Sequence, residues 1–216
     1  VPGYTEQIRD RLLTAQHSFM SGHRPWPQPE MHQIMAIAQH YEVPTRLLDW
    51  TDRSFVACYF AAASASFEID FMGMPKIAVW ALETTSAPFW KTIKIIRPPG
   101  GTSQNQAAQS GLFTAHHATD YSVDDTYKAD ALEDVQEIYD ITNGYAPLIK
   151  MTLPLSEAPD LLDLCSKMGI DGSTLFPGFH GVAKMVKDWG NVEIGVRHTR
   201  SAIDEYNAEG YDPDFD

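Results

Sequence analysis

The sequence predicts a single α+β domain, a mixed β-sheet flanked by helices, on three observations. Apolar residues recur at helical spacing after Pro29, several short runs read as strands, and no internal repeat or low-complexity linker interrupts the 216 residues. With 44% hydrophobic and 21% charged residues, the chain can bury a core and does not have the composition of a disordered segment.

The elements follow in order. Pro27-Gln28-Pro29-Glu30 supplies a proline where a helix can begin, and Met31, Ile34, Met35, Ala38 and Tyr41 continue at helical spacing. Val43-Pro44 ends that helix, because the residue before proline avoids the α region. Thr51 or Ser54 caps a second helix, Phe55 to Ser66, apolar nearly all round and so expected to be buried. Lys76 to Leu82 reads as a strand covered on both faces. Thr92 to Arg97 and Leu112 to His116 read as further strands, and 119–146 as a polar loop with a helical turn or two. Leu148, Lys150 and Thr152 alternate with Ile149, Met151 and Leu153, which suits a strand with one wetter face. Ser156 caps a helix with Leu161, Leu164, Cys165 and Met168 on one stripe, closed by Gly169. A short helix from Gly181 to Trp189, stopped by Gly190, precedes an edge strand from Asn191 to His198. The domain is expected over 1–200, with 201–216 as a solvated acidic tail.

Composition excludes several function classes. A formal charge of −13 argues against holding nucleic acid through clustered Lys and Arg, though one or two local arginines suffice for an anionic small ligand. No apolar run approaches the roughly 20 residues that span a bilayer, and the start has no signal-peptide pattern, so a cytoplasmic location is expected. The first residue is Val1, and the chain is expected to begin inside a longer protein. Cys58 and Cys165 lie in apolar helical patterns and read as buried reduced thiols.

The unusual segment runs from Gln39 to Thr51: two apolar helices joined by a turn that holds His40, Thr45, Arg46, Asp49 and Trp50. Polar groups between buried elements must be paired or open to a ligand. One reading pairs Arg46 with Asp49 structurally and makes Trp50 core. The other makes His40, Thr45 and Arg46 a polar lip for a ligand, braced by Asp49. Spacing does not choose between them.

Gln39-His40-Tyr41, Pro44-Thr45-Arg46-Leu47-Leu48-Asp49-Trp50-Thr51 and Ala57-Cys58-Tyr59-Phe60-Ala61 together resemble the signature of the FRG domain family. Three further blocks fit the family in order: Ala78-Val79-Trp80-Ala81-Leu82, Ala108-Gln109-Ser110-Gly111-Leu112-Phe113-Thr114 and Leu175-Phe176-Pro177-Gly178-Phe179-His180-Gly181. Glu42 stands where the family has glycine. The Phe/Tyr-Arg-Gly motif that names the family is absent and is expected upstream of Val1.

The resemblance implies an ADP-ribosyltransferase-like split sheet and a transferase that uses NAD as substrate, a toxin or effector in conflict between bacteria and phages. Its implied catalytic residues are Arg46, Gln109 and His40, and its implied NAD-binding residues are Gln39, Thr45, Arg46, Trp50, Tyr59, Ser110 and His180. In that scheme Arg46 grips the diphosphate, Tyr59 or Trp50 stacks on nicotinamide, and Gln109 binds ribose. A neutral Gln109 orients a ribose but cannot act as a base. The implied partners are a nucleotide and a protein or nucleic-acid acceptor. Two alternatives stay open: a nuclease or other hydrolase using His40 and Asp49, and a non-catalytic module that binds a nucleotide or a protein. No zinc pattern, nucleophile elbow or phosphate-loop lysine is present, so no metal is expected.

Overall fold

A computed structural model of the chain describes residues 29–40, 43–45, 47–65, 75–97, 104–116, 131–140 and 146–209. Its architecture is α+β. The chain forms two compact units, each assembled from two separated stretches: 1–52 with 82–149, and 53–81 with 150–216.

In the first unit, helix α1 (Pro29–His40) precedes strand β1 (Leu47–Thr51). The segment expected to be only a turn is therefore partly strand. Strand β1 pairs antiparallel with β4 (Gly111–His116), placing Leu47 opposite Ala115, Asp49 opposite Phe113 and Thr51 opposite Gly111. Strand β3 (Ile93–Ile96) pairs antiparallel on the other side of β4, with Ile96 opposite Phe113. The order is β1-β4-β3, so this sheet is antiparallel throughout rather than mixed.

Alternation along each strand gives the sheet two faces. Leu47, Phe113, Ala115 and Ile96 form one core with Ala36 of α1, and Met35 packs against it. On the opposite face, Ile93 joins Trp90, Val135 and Ile138 in a second core. Ile138 lies on the short helix α4 (Gln136–Asp140). Helix α3 (Gln104–Gln109) leads into β4 through Ser110.

In the second unit, helix α2 (Ser54–Ala63) buries Val56, Tyr59 and Ala62 at three-residue spacing while Phe55 and Phe60 stay exposed. It is not buried all round, as the composition suggested. Arg53 occupies its N-cap position without a side-chain cap bond, so neither Thr51 nor Ser54 caps it. Strand β2 (Lys76–Leu82) pairs with β5 (Leu148–Pro154) in a two-stranded sheet. Within β2 only Ile77 is fully buried, which corrects the expectation of a strand covered on both faces. An apolar run by itself does not fix how many faces are covered.

Helix α5 (Ala158–Lys167) follows a 3-10 turn at Leu155–Glu157, and Glu157 rather than Ser156 is its N-cap residue. Its buried stripe is Ala158, Leu162 and Cys165, whereas Leu164 and Met168 are exposed. The stripe is thus rotated from the one expected. Asp160 in the first turn and Lys167 in the last complement the helix dipole. Gly169 closes it at φ 74°, a left-handed conformation that suits glycine.

Asp171 then caps the one-turn helix α6 (Gly172–Leu175) in a capping box with Thr174. Helix α7 (Phe179–Glu209) runs for 31 residues. It passes through Gly190, where a stop was expected, and through Asn191 to His198, where a strand was expected. One interior glycine costs about 1 kcal/mol, too little to end a helix packed along α5 and α6. The helix also crosses the expected boundary at residue 200 and takes in the first part of the expected acidic tail. Gly172 and Gly181 permit the close approach of α6 to α7: a Cβ at Gly181 would stand 1.8 Å from the Phe176 carbonyl oxygen. Val56, Tyr59, Ala62, Leu162, Cys165 and Leu175 share this unit's core. Both cysteines are free thiols, and burial pushes the Cys165 pKa up to about 11.

Candidate functional site

The polar segment acquires its geometry from β1. Thr45 donates its hydroxyl proton to Gln39 Oε1 and accepts from the Leu47 amide at 3.1 Å. Gln39, near the end of α1, donates in turn from Nε2 to Asp49 Oδ2 at 2.6 Å. Helix end, loop and strand are therefore tied by a chain of bonds, Thr45 to Gln39 to Asp49, on the α1-facing side of the sheet. The Asp49 side chain is exposed, yet the surrounding protein desolvates it enough to raise its pKa above the ordinary aspartate value, and the Gln39 bond opposes that rise.

Thr51 points to the same strand face as Asp49, two residues further along. Its hydroxyl donates to the Gln109 carbonyl at 2.7 Å, and the Asp52 amide donates to the Ser110 carbonyl at 3.3 Å. Ser110 has φ 49°, in the left-handed region that a residue with a side chain adopts at a cost of about 1–2 kcal/mol. Pairing of β1 with β4 thus brings Gln109 and Ser110 beside the end of β1. Asp52 also forms an exposed two-bond ion pair with Arg97, at 2.5 and 3.2 Å, which lowers its pKa through hydrogen bonding first and charge second.

The other sequence-identified residues stand elsewhere. Trp50 points to the opposite sheet face from Asp49, and its indole Nε1 donates to Thr114 Oγ1 at 3.0 Å. Tyr59 belongs to the second unit, where it is fully buried and donates to Asp188 Oδ2 at 2.6 Å. Burial, then the Asp188 hydrogen bond, then its charge hold the Tyr59 phenol far above its ordinary pKa. His180, also in the second unit, is exposed, with its ring edge-on to Phe176 at 6.1 Å. Arg46 and the His40 side chain lie outside the described residues, and with them the proposed Arg46–Asp49 pair.

Sequence reasoning missed the Tyr59–Asp188 pair. The half-buried Lys184 stands 3.6 Å from Asp188 and lies over the Tyr59 and Phe176 rings, completing a polar cluster around the buried pair. The available signal was an acid at position 188 in line with Met185 and Val192 on α7, where an apolar residue would be expected. Among the described residues, no group of three or more His, Cys, Asp or Glu gathers to hold a metal ion. No helix among them is long and apolar enough to cross a membrane.

These features define an α+β protein whose polar loop and strand carry a bonded Thr-Gln-Asp chain on one sheet face. The family model of the FRG domain matches residues 2–68, so the chain carries an FRG domain over that stretch. The match includes Gln39 to Ala61 but ends before the three later blocks that resembled the family. No curated protein and no solved structure matches the chain.

Proposed function

We propose that this FRG-domain chain is an ADP-ribosyltransferase-like enzyme that takes NAD as its substrate. The observation that supports the reading best is the exposed Asp49 carboxylate, oriented by Gln39 and set on the same strand face as Thr51, whose hydroxyl donates to the Gln109 backbone carbonyl. Cleavage of the nicotinamide glycosidic bond builds positive charge at the ribose carbon, and an oriented carboxylate stabilises that charge or accepts a ribose hydroxyl. Asp49 supplies the acid–base group that Gln109 lacks. In this scheme Arg46 binds the diphosphate, and Thr45, Ser110 and His40 belong to the same site; Trp50 faces the other side of the sheet and Tyr59 is buried, so neither stacks on nicotinamide. Such an activity suits a toxin used between bacteria and phages.

The test is release of nicotinamide from NAD by the full chain, with and without candidate protein and nucleic-acid acceptors. Release should fall by about 100-fold or more in Asp49→Asn and in Arg46→Ala, with melting temperatures showing that both variants fold. No release under any condition, or release unchanged in both variants, overturns the reading. The same carboxylate also suits a hydrolase using His40 and Asp49. RNA or DNA breakdown without NAD, lost in Asp49→Asn, would establish that second reading instead.

A further inference from the structure

The second unit has a half-open cavity of about 140 Å³ between α2, α5 and α7. Its walls are Leu162, Ile170, Met185 and Val192, and the exposed Trp189 stands at its mouth. Engineered apolar cavities of about 150 Å³ admit benzene, so this space accommodates one aromatic ring.

The polar groups that reach it are mostly acceptors. Asp188 is 6% exposed and already takes the Tyr59 proton on Oδ2, but a carboxylate offers about four acceptor positions. The Tyr59 O–H is committed to that bond. Asp171 receives Ser173 Oγ and the Thr174 amide on Oδ1, at 2.7 and 2.9 Å. Asp163 and Glu193 at the rim are paired with Lys167 and Arg197. Among the described residues, no lysine or arginine lines the cavity. Lys184 stands 3.6 Å from Asp188 Oδ1 but is not among the lining residues, so a negatively charged ligand would meet the Asp171 and Asp188 carboxylates first, whereas an N–H donor would meet Asp188.

We propose that this cavity is a binding site for a small aromatic cation. Its ring would seat against Leu162, Ile170, Met185 and Val192, and its N–H group would donate to Asp188. The site lies wholly within the second unit, and its occupancy does not depend on NAD chemistry.

Benzamidine is a suitable probe, with benzoate as a control of the same shape and opposite charge. The full chain, labelled at its methionine methyl groups, is titrated while the Met185 signal, identified by its loss in Met185→Leu, is followed by NMR. Benzamidine should shift that signal saturably, and benzoate should bind about tenfold or more weakly. Asp188→Asn should weaken benzamidine by about tenfold or more. Ser166→Phe, from a half-buried position on α5, should fill the cavity and remove the shift without deleting core atoms. If Asp188→Asn fails to fold, the benzoate comparison and Ser166→Phe still decide. A missing shift, equal binding of benzoate, or binding that survives in a folded Ser166→Phe variant overturns the proposal.

Discussion

Tyr59 on α2 donates a 2.6 Å hydrogen bond to Asp188 on α7, across 129 positions of sequence. Both residues are buried, and the nearest countercharge, Lys184, stands at 3.6 Å from the carboxylate. The phenol hydrogen bond and the Lys184 charge together offset the cost of burying the acid.

Tyr59→Phe should therefore destabilise the protein by about 1–3 kcal/mol, although it removes one oxygen and leaves the ring. Urea denaturation would show a lower midpoint with an unchanged slope. The double variant Tyr59→Phe/Asp188→Leu should lose less than the sum of the single changes, since neither buried partner is then left unsatisfied. Additive losses would mean that the two side chains do not act as a pair.

Asp49 predicts a pH dependence of the opposite sign to a salt-bridged acid. Its pKa is raised in the folded chain, so its protonated form contributes stability that is fully present below the unfolded value and lost as pH rises through the folded one. Asp49→Asn removes that loss while keeping an oxygen for Gln39. The variant should gain on the parent at neutral pH, and the gap should close below the ordinary aspartate range. Denaturation midpoints of both proteins across that range would measure this. A variant that is weaker at neutral pH but equal in acid would reverse the assignment.

Two glycines on α7 should respond in opposite directions. At Gly181 an added Cβ meets the Phe176 carbonyl and the Gly172 carbonyl at 1.8 and 2.6 Å, both backbone atoms that cannot swing aside. Gly181→Ala should cost about 3 kcal/mol or more, as for other severe overpacking of a core contact. Gly190 has open space around it, so Gly190→Ala should stabilise the helix by about 1 kcal/mol. Thermal melts of the two variants provide the comparison.

How much of this was legible depended on whether a local period sufficed. The apolar runs marked β3 and β4, and the alternation at 148–153 marked β5, because each contains enough hydrophobic residues to declare its period. Strand β1 was obscured because Leu47 shares its face with Asp49 and Thr51, leaving no clean alternation. The end of α7 was obscured for a different reason. Val192, Ile194 and Val196 fit a two-residue period, while Met185, Asp188 and Val192 fit a helical one, and packing of α7 against α5 selects the second.

The site divided in the same way. Gln39, Thr45 and Asp49 were visible as a polar group beside the helix end, but Gln39 as the partner of Asp49 required the tertiary arrangement. The sequence also could not show that Trp50 and Asp49 turn to opposite faces, since that follows from β1 being a strand. Tyr59 was read as a ring able to stack on nicotinamide, and its buried acidic partner could not be seen because it lies on a distant helix.

The interleaved order of the two compact units has a consequence for synthesis. The early strand β1 must wait for β4, and the apolar stripe of α2 must wait for α5 and α7, before either is covered. A product truncated near residue 150 would lack α5 and α7 and leave Val56, Tyr59 and Ala62 without their partners, a surface prone to aggregation. Neither half of the gene therefore encodes a self-sufficient piece, and any dissection into fragments must rejoin distant segments rather than cut once.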